Sequence, residues 1–185
     1  VALGGPAVKE PRLVRTRLGA CTSELLRDEL AEGEVRVVSG NVLNGHKAAG
    51  PLDYLGRYHL QVSALPEGGE RELFGWYSPG FRKHSVKRVV ASSLFFGRKF
   101  DMDTSVYGGH RAIVPIGAYE QVMPLDILPS PLFRALLVMD TEQARALGAL
   151  ELAEEDLALC SFVCPAKNDY GVALRINVDQ IEKEG

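Results

Sequence analysis

The sequence has 185 residues, of which 46% are hydrophobic and 24% charged, enough length and apolar content to bury a real core. A formal net charge of −3 gives no general attraction for nucleic acid. No apolar run approaches the ~20 residues needed to span a bilayer, the densest being "RALLVM" at 134–139.

The chain opens on "VALGGPAV", with no basic region or cleavage site of a signal peptide, and reads as a fragment entered inside a strand. "RLVRTRL" at 12–18 sets apolar Leu13, Val14 and Leu18 among arginines, a strand pattern. Thr22 is placed to cap a helix over 23–33, "SELLRDELAEG", with Leu25, Leu26 and Leu30 on one side and Gly33 as its stop. "EVRVVSG" at 34–40 predicts a further strand, followed by the turn-rich "GNVLNG". Strands around one helix predict a β-grasp (SLBB-like) unit over residues 1–66, in an α+β chain.

Residues 67–128 form a predicted β-rich middle. "YHLQVSAL" at 58–65, the turn "PEGGE" and "RELFGWY" at 71–77 suggest a hairpin, and "SVKRVVASSLFF" at 85–96 opens β-branched. From 129 to 185 the composition turns to helix formers. Helices are predicted over 130–139, 141–150, 153–164 and 169–184, with Ser130, Pro131 and Thr141 as starting signals.

Of three cysteines, Cys160 and Cys164 stand four apart with Pro165 behind them, like the end of the run C-x2-C-x2-C-x3-C-P that holds iron–sulfur clusters. The two upstream ligand positions then fall on Leu157 and Glu154. Leucine has no lone pair, and a carboxylate is a hard donor where such clusters take thiolates. The remaining thiol, Cys21, lies far upstream. The pair is therefore expected to be two small hydrophobes on a helix, without a cluster and without a disulfide.

Other chemistry is sparse. His46, His59, His84 and His110 lack metal-ligand spacing, and Asp101 and Asp103 in "DMD" have no further ligands beside them. No G-x-G-x-x-G follows a strand, and no nucleophile–base set stands at a legible spacing. Arg82, Lys83, Lys87 and Arg88 make a basic cluster, either a solvated face or a contact for anionic headgroups or an acidic neighbour. No catalytic, cofactor-binding or metal-binding residue is assigned.

The phrases "PRLVRTRLGA", "KAAGP", "YLGRYH", "LPEGGERELFGW", "VPIGAYEQVMPLDILPS", "ELAEEDLALCSFVCP" and "IEKEG" together resemble the A subunits of the bacterial sodium-translocating NADH:quinone reductases, across essentially the whole chain. The resemblance implies the C-terminal part of a peripheral subunit on the cytoplasmic face of the inner membrane. The six-subunit complex it implies passes electrons from NADH to ubiquinone and exports sodium. It further implies kinship with the flavin-bearing subunit of respiratory complex I and the C subunit of the Rnf complex, whose helical regions hold cysteine-ligated clusters. NADH and flavin sites of those relatives fall in regions outside this chain. The expected work is assembly with the other subunits, with peripheral membrane contact and no chemistry of its own. The rival expectation is a quinone pocket built from Phe74, Trp76, Tyr77 and Phe81.

Overall fold

The fold was taken from a computed structural model of the chain, which describes residues 1–68, 74, 75, 77–95 and 97–184. It divides into two compact units, Val1–Ser105 and Val106–Gly185. Residues 67–105 belong to the first and 106–128 to the second, so the predicted middle segment is shared between them.

The first unit is built on a five-stranded sheet in the order β2-β1-β5-β3-β4. Its strands are β1 (Ala2–Gly4), β2 (Arg12–Leu13), β3 (Val35–Ser39), β4 (His46–Lys47) and β5 (Gln61–Pro66). β5 runs parallel to β1 and antiparallel to β3, in the middle of the sheet. That position explains why its central residues Val62, Ser63 and Ala64 are fully buried. A hairpin of two strands, one short helix, and a last strand inserted centrally beside the first is the predicted β-grasp arrangement. Leu3, Ala7, Val8, Leu26, Leu55, Val62 and Ala64 form the core. Gly5 lets the chain leave β1 hard against β5: its φ is +112°, and an added Cβ would collide with the Ala64 carbonyl.

Three local expectations are corrected here. The predicted helix over 23–33 is only one turn, α1 (Thr22–Leu25). Beyond it the backbone pairs elsewhere, with the Lys9 N–H donating to the Glu29 carbonyl at 2.8 Å and the Ala31 N–H to the Ala7 carbonyl at 2.9 Å. Those bonds compete with continuation of the helix, yet Leu25, Leu26 and Leu30 still pack inward. Thr22 is not the cap. Cys21 holds that position, and the Thr22 hydroxyl donates instead to the Asp53 carboxylate. The strand over 12–18 shrinks to two paired residues at the sheet edge.

β5 is flanked on both sides by β1 and β3, and the partner stretch predicted at 71–77 for a hairpin with 58–65 falls largely outside the described residues. Residues 71–73 and Trp76 lie outside the described residues. Among those described in 67–128 there is no strand, and the stretch predicted at 85–96 holds a 3-10 turn, Ala91–Leu94. Serines explain the difference. Ser92 Oγ donates to the Lys83 carbonyl at 2.5 Å and Ser93 Oγ to the Val90 carbonyl at 2.7 Å, satisfying the backbone locally in place of a ladder.

The second unit is helical: α2 (Pro129–Val138), α3 (Thr141–Ala146), α4 (Ala158–Val163) and α5 (Tyr170–Glu184). Leu132, Phe133 and Leu136 repeat at helical spacing and are fully buried, and they meet Ala144, Leu157, Cys160, Tyr170 and Leu174 in one core. Ser130 and Thr141, the predicted starting signals, stand at the starts of α2 and α3 but do not supply their N-caps. α2 begins with Pro129, while Ser130 Oγ donates to Glu120 Oε1 at 2.5 Å. Asp140 caps α3 by accepting the Gln143 N–H at 3.0 Å, and the Thr141 hydroxyl donates to Glu184 at 3.2 Å. The helix predicted over 153–164 starts with a 3-10 turn, Glu154–Leu157, fixed by the Asp156 carboxylate accepting the Ala153 N–H at 2.9 Å. Among the described residues no helix is long and apolar enough to cross a membrane.

Candidate functional site

Cys160 lies in α4 and Cys164 caps its C-terminus, both fully buried in the core of the second unit. Their neighbours are aromatic. Phe133 from α2 and Tyr170 from the start of α5 stack with ring centroids 3.9 Å apart, and Tyr119 stands edge-on to both. Tyr170 Oη donates to Tyr119 Oη at 2.9 Å, and the two hydroxyls lie 3.4 and 3.3 Å from Cys164 Sγ. The Asn168 N–H adds a contact to the same sulfur at 3.4 Å. The Tyr170 N–H, one of the unpaired donors at the start of α5, is taken by Ser161 Oγ at 3.0 Å.

The two thiols consequently differ. Burial pushes the Cys160 thiol up to about 11, with the charges of Glu120 and Cys164 adding to it. Burial also pushes Cys164 upward, but hydrogen bonds with Tyr119, Tyr170 and the N–H groups of Asn168 and Ala166 outweigh it and hold that thiol below its ordinary value. Burial raises Tyr119 to about 12 and raises Tyr170 further. The site is a buried polar cluster in which each hydroxyl has a partner.

The two other positions of the cluster pattern are spent differently. Leu157 is fully buried in the hydrophobic core. Glu154 forms an ion pair with Arg175 of α5, and its own backbone N–H, followed by that guanidinium, holds its carboxyl below the usual range. The residues present do not fit a four-thiolate cluster. Among the described residues no group of three or more His, Cys, Asp or Glu side chains is arranged to hold a metal ion.

The remaining candidates scatter or regroup. His46 and His59 are brought to 5.3 Å between ring centroids, with His59 Nδ1 2.9 Å from Ser39 Oγ. His84 stands edge-on to Phe100, and His110 is exposed. Asp103 accepts the Ser105 N–H at 2.9 Å, whereas Asp101 lines a cavity with Arg82, Arg98, Lys99 and Phe100. The basic cluster is thus split: Arg82 faces this cavity, and Lys83 folds back to donate to the Gly75 carbonyl at 2.6 Å. Arg98 and Lys99 escaped the sequence reading, although "GRKF" at 97–100 carries a second basic pair. Tyr119 and Tyr170 had no spacing signal at all, since the fold alone brings them together. Of the proposed quinone aromatics, Phe74, Tyr77 and Phe81 are exposed, and Trp76 lies outside the described residues.

Residues 1–50 match the family model described as the NQRA C-terminal domain. The chain is 61% identical over 186 aligned positions to the A subunit of the Na(+)-translocating NADH-quinone reductase of Actinobacillus pleuropneumoniae serotype 5b (strain L20). It is 60% identical to the corresponding protein of Pasteurella multocida (strain Pm70) and 58% to that of Klebsiella pneumoniae (strain 342). Each match covers all of this chain and 41% of the relative, so the chain spans about two fifths of their length.

Proposed function

We propose that the chain, similar over its full length to Na(+)-translocating NADH-quinone reductase A subunits, is the C-terminal part of such a protein and serves assembly of the complex. The whole complex would transfer electrons from NADH through flavins to ubiquinone and couple that transfer to sodium export. The chain would bind the other subunits at the cytoplasmic face of the inner membrane, touching the membrane peripherally. The observation that carries this reading is the identity near 60% along the entire chain, which extends through both units and well past the matched domain model.

A purely assembling role is supported by how the conspicuous side chains are employed. Leu157 packs, Glu154 pairs with Arg175, and the cysteines sit in a closed cluster with Tyr119 and Tyr170, so we assign the degenerate motif no cluster. The exposed positions of Phe74, Tyr77 and Phe81 suit a contact surface better than the walls of a quinone pocket.

The test is deletion of this region from the full-length protein in cells whose complex is purified through a tag on another subunit. The truncated protein is expected to be lost from the purified complex, and NADH-dependent quinone reduction with it. Recovery of a stoichiometric, fully active complex carrying the truncated protein would refute the assembly role.

A further inference from the structure

Arg82, Arg98 and Lys99 converge on a half-open surface cavity of 450 Å³ whose other walls, among the described residues, are Phe100 and Asp101. Two of its walls are anchored. Arg98 Nη1 donates to the Phe81 carbonyl at 2.9 Å, and the Phe100 ring is held edge-on to His84 at 5.4 Å between centroids. Arg82 and Lys99 have no hydrogen-bond or ion-pair partner among the described residues. Among the described residues, three cations against the Asp101 carboxylate give the lining a charge of +2, in a chain whose net charge is −3. Like charges gathered at one concavity raise its potential and concentrate anions there.

We propose that this cavity binds a phosphoryl group carried on a small organic body. A phosphate dianion matches the lining in charge, and guanidinium forks match its oxygens in geometry. The volume lies within the ~300–1,000 Å³ range of small-molecule sites and far exceeds a bare phosphate, so the ligand has a body for which Phe100 supplies an apolar wall. The phosphoryl group comes either from a soluble phosphate ester or from a phospholipid headgroup. The inference rests on the cavity and is independent of the assembly role.

Two probes separate the sources. Glycerol 3-phosphate is titrated into the 185-residue chain by calorimetry, and the chain is sedimented with phosphatidylcholine vesicles with and without phosphatidylglycerol. Saturable binding is expected with at least one probe. Response to the soluble ester assigns a small molecule; response to the phosphatidylglycerol vesicles alone assigns a headgroup. The double variant Arg82→Gln/Lys99→Gln should bind about tenfold to a hundredfold more weakly, the range for charge-assisted hydrogen bonds. Its melting midpoint should not move, because neither side chain has a partner to lose. Lys87→Gln, outside the cavity, should bind like the parent. Absence of saturable binding with both probes, equal binding by the double variant, or equal weakening by Lys87→Gln overturns the proposal.

Discussion

Cys164 owes its character to its position at the end of α4, where two tyrosine hydroxyls and two backbone N–H groups surround one sulfur. Cys160, one turn earlier, has no such company and remains a small hydrophobe. Native thiol titration should therefore find one reactive cysteine, Cys21, which is partly exposed, and two that react only after unfolding. Replacing either buried cysteine by alanine should cost ~1–2 kcal/mol in chemical denaturation, the scale of small core deletions. Anaerobic incubation with iron and sulfide should leave the protein colourless. A chromophore with stoichiometric iron, abolished in the double alanine variant, would contradict the assignment of Leu157 to packing and Glu154 to its ion pair. The sequence already carries this expectation, because side-chain chemistry alone excludes leucine as a ligand. The tyrosines were not legible, because hydroxyls recruited from 45 residues before Cys164 and six after it leave no periodic trace.

At the scale of elements, apolar spacing located the helices of the second unit well, while the polar starting signals misled. A threonine hydroxyl before an apolar run is a good cap only if nothing nearby competes for it. Thr22 is drawn to Asp53 and Thr141 to Glu184, leaving the cap positions to Cys21 and Asp140. Asp140→Ala should accordingly destabilise the second unit by ~1 kcal/mol, the usual cost of losing a cap, whereas Thr141→Val should cost clearly less. Equal losses in urea unfolding would mean that the Asp140 bond to Gln143 is not the one that matters. The β elements failed for a different reason: alternation announces a strand but not the edge it will pair with. β1 and β3 flank β5 on its two sides, a pairing that the alternation within 61–66 does not specify. The close approach of β1 to β5 makes Gly5 the sharpest test of the sheet. Gly5→Ala combines a left-handed φ with a collision against the Ala64 backbone, and should cost about 2 kcal/mol or more. A near-neutral Gly5→Ala would show that the crossing is looser than described.

For the whole molecule, the two cores share no residue, and the groups with shifted pKa values in the two units act mainly at different ends of the pH scale. In the first unit Asp53 is held below its ordinary 3.8 by hydrogen bonds from Ser23, Thr22 and Cys21. Glu29 and Glu67 are likewise lowered by Arg12 and Arg36. The unfolded chain regains these protons at higher pH than the fold does. Their stabilisation is thus complete above the unfolded values and is lost as pH falls through the lowered ones. Among the described carboxylates of the second unit Glu154 alone is lowered in this way, while burial raises Cys160 from 9.0 to about 11 and Tyr119 from 10.0 to about 12. Between those limits the unfolded chain ionises and the folded core does not, so stability falls as pH rises from 9.0. Cys164, shifted the other way, offsets part of that loss. A fluorophore attached to the partly exposed Cys21 of the first unit reports its unfolding, while far-ultraviolet circular dichroism follows the helices of the second. Raising the pH from neutral to 10.5 should lower the dichroism midpoint more than the fluorescence midpoint, and Cys160→Ala should reduce that alkaline fall. Lowering the pH toward 3 should reverse the order, and Asp53→Asn should blunt the acid fall of the fluorescence midpoint. Two probes that move together at both extremes would show that the units unfold as one, with the buried thiol and phenol of the second core no longer setting its alkaline limit.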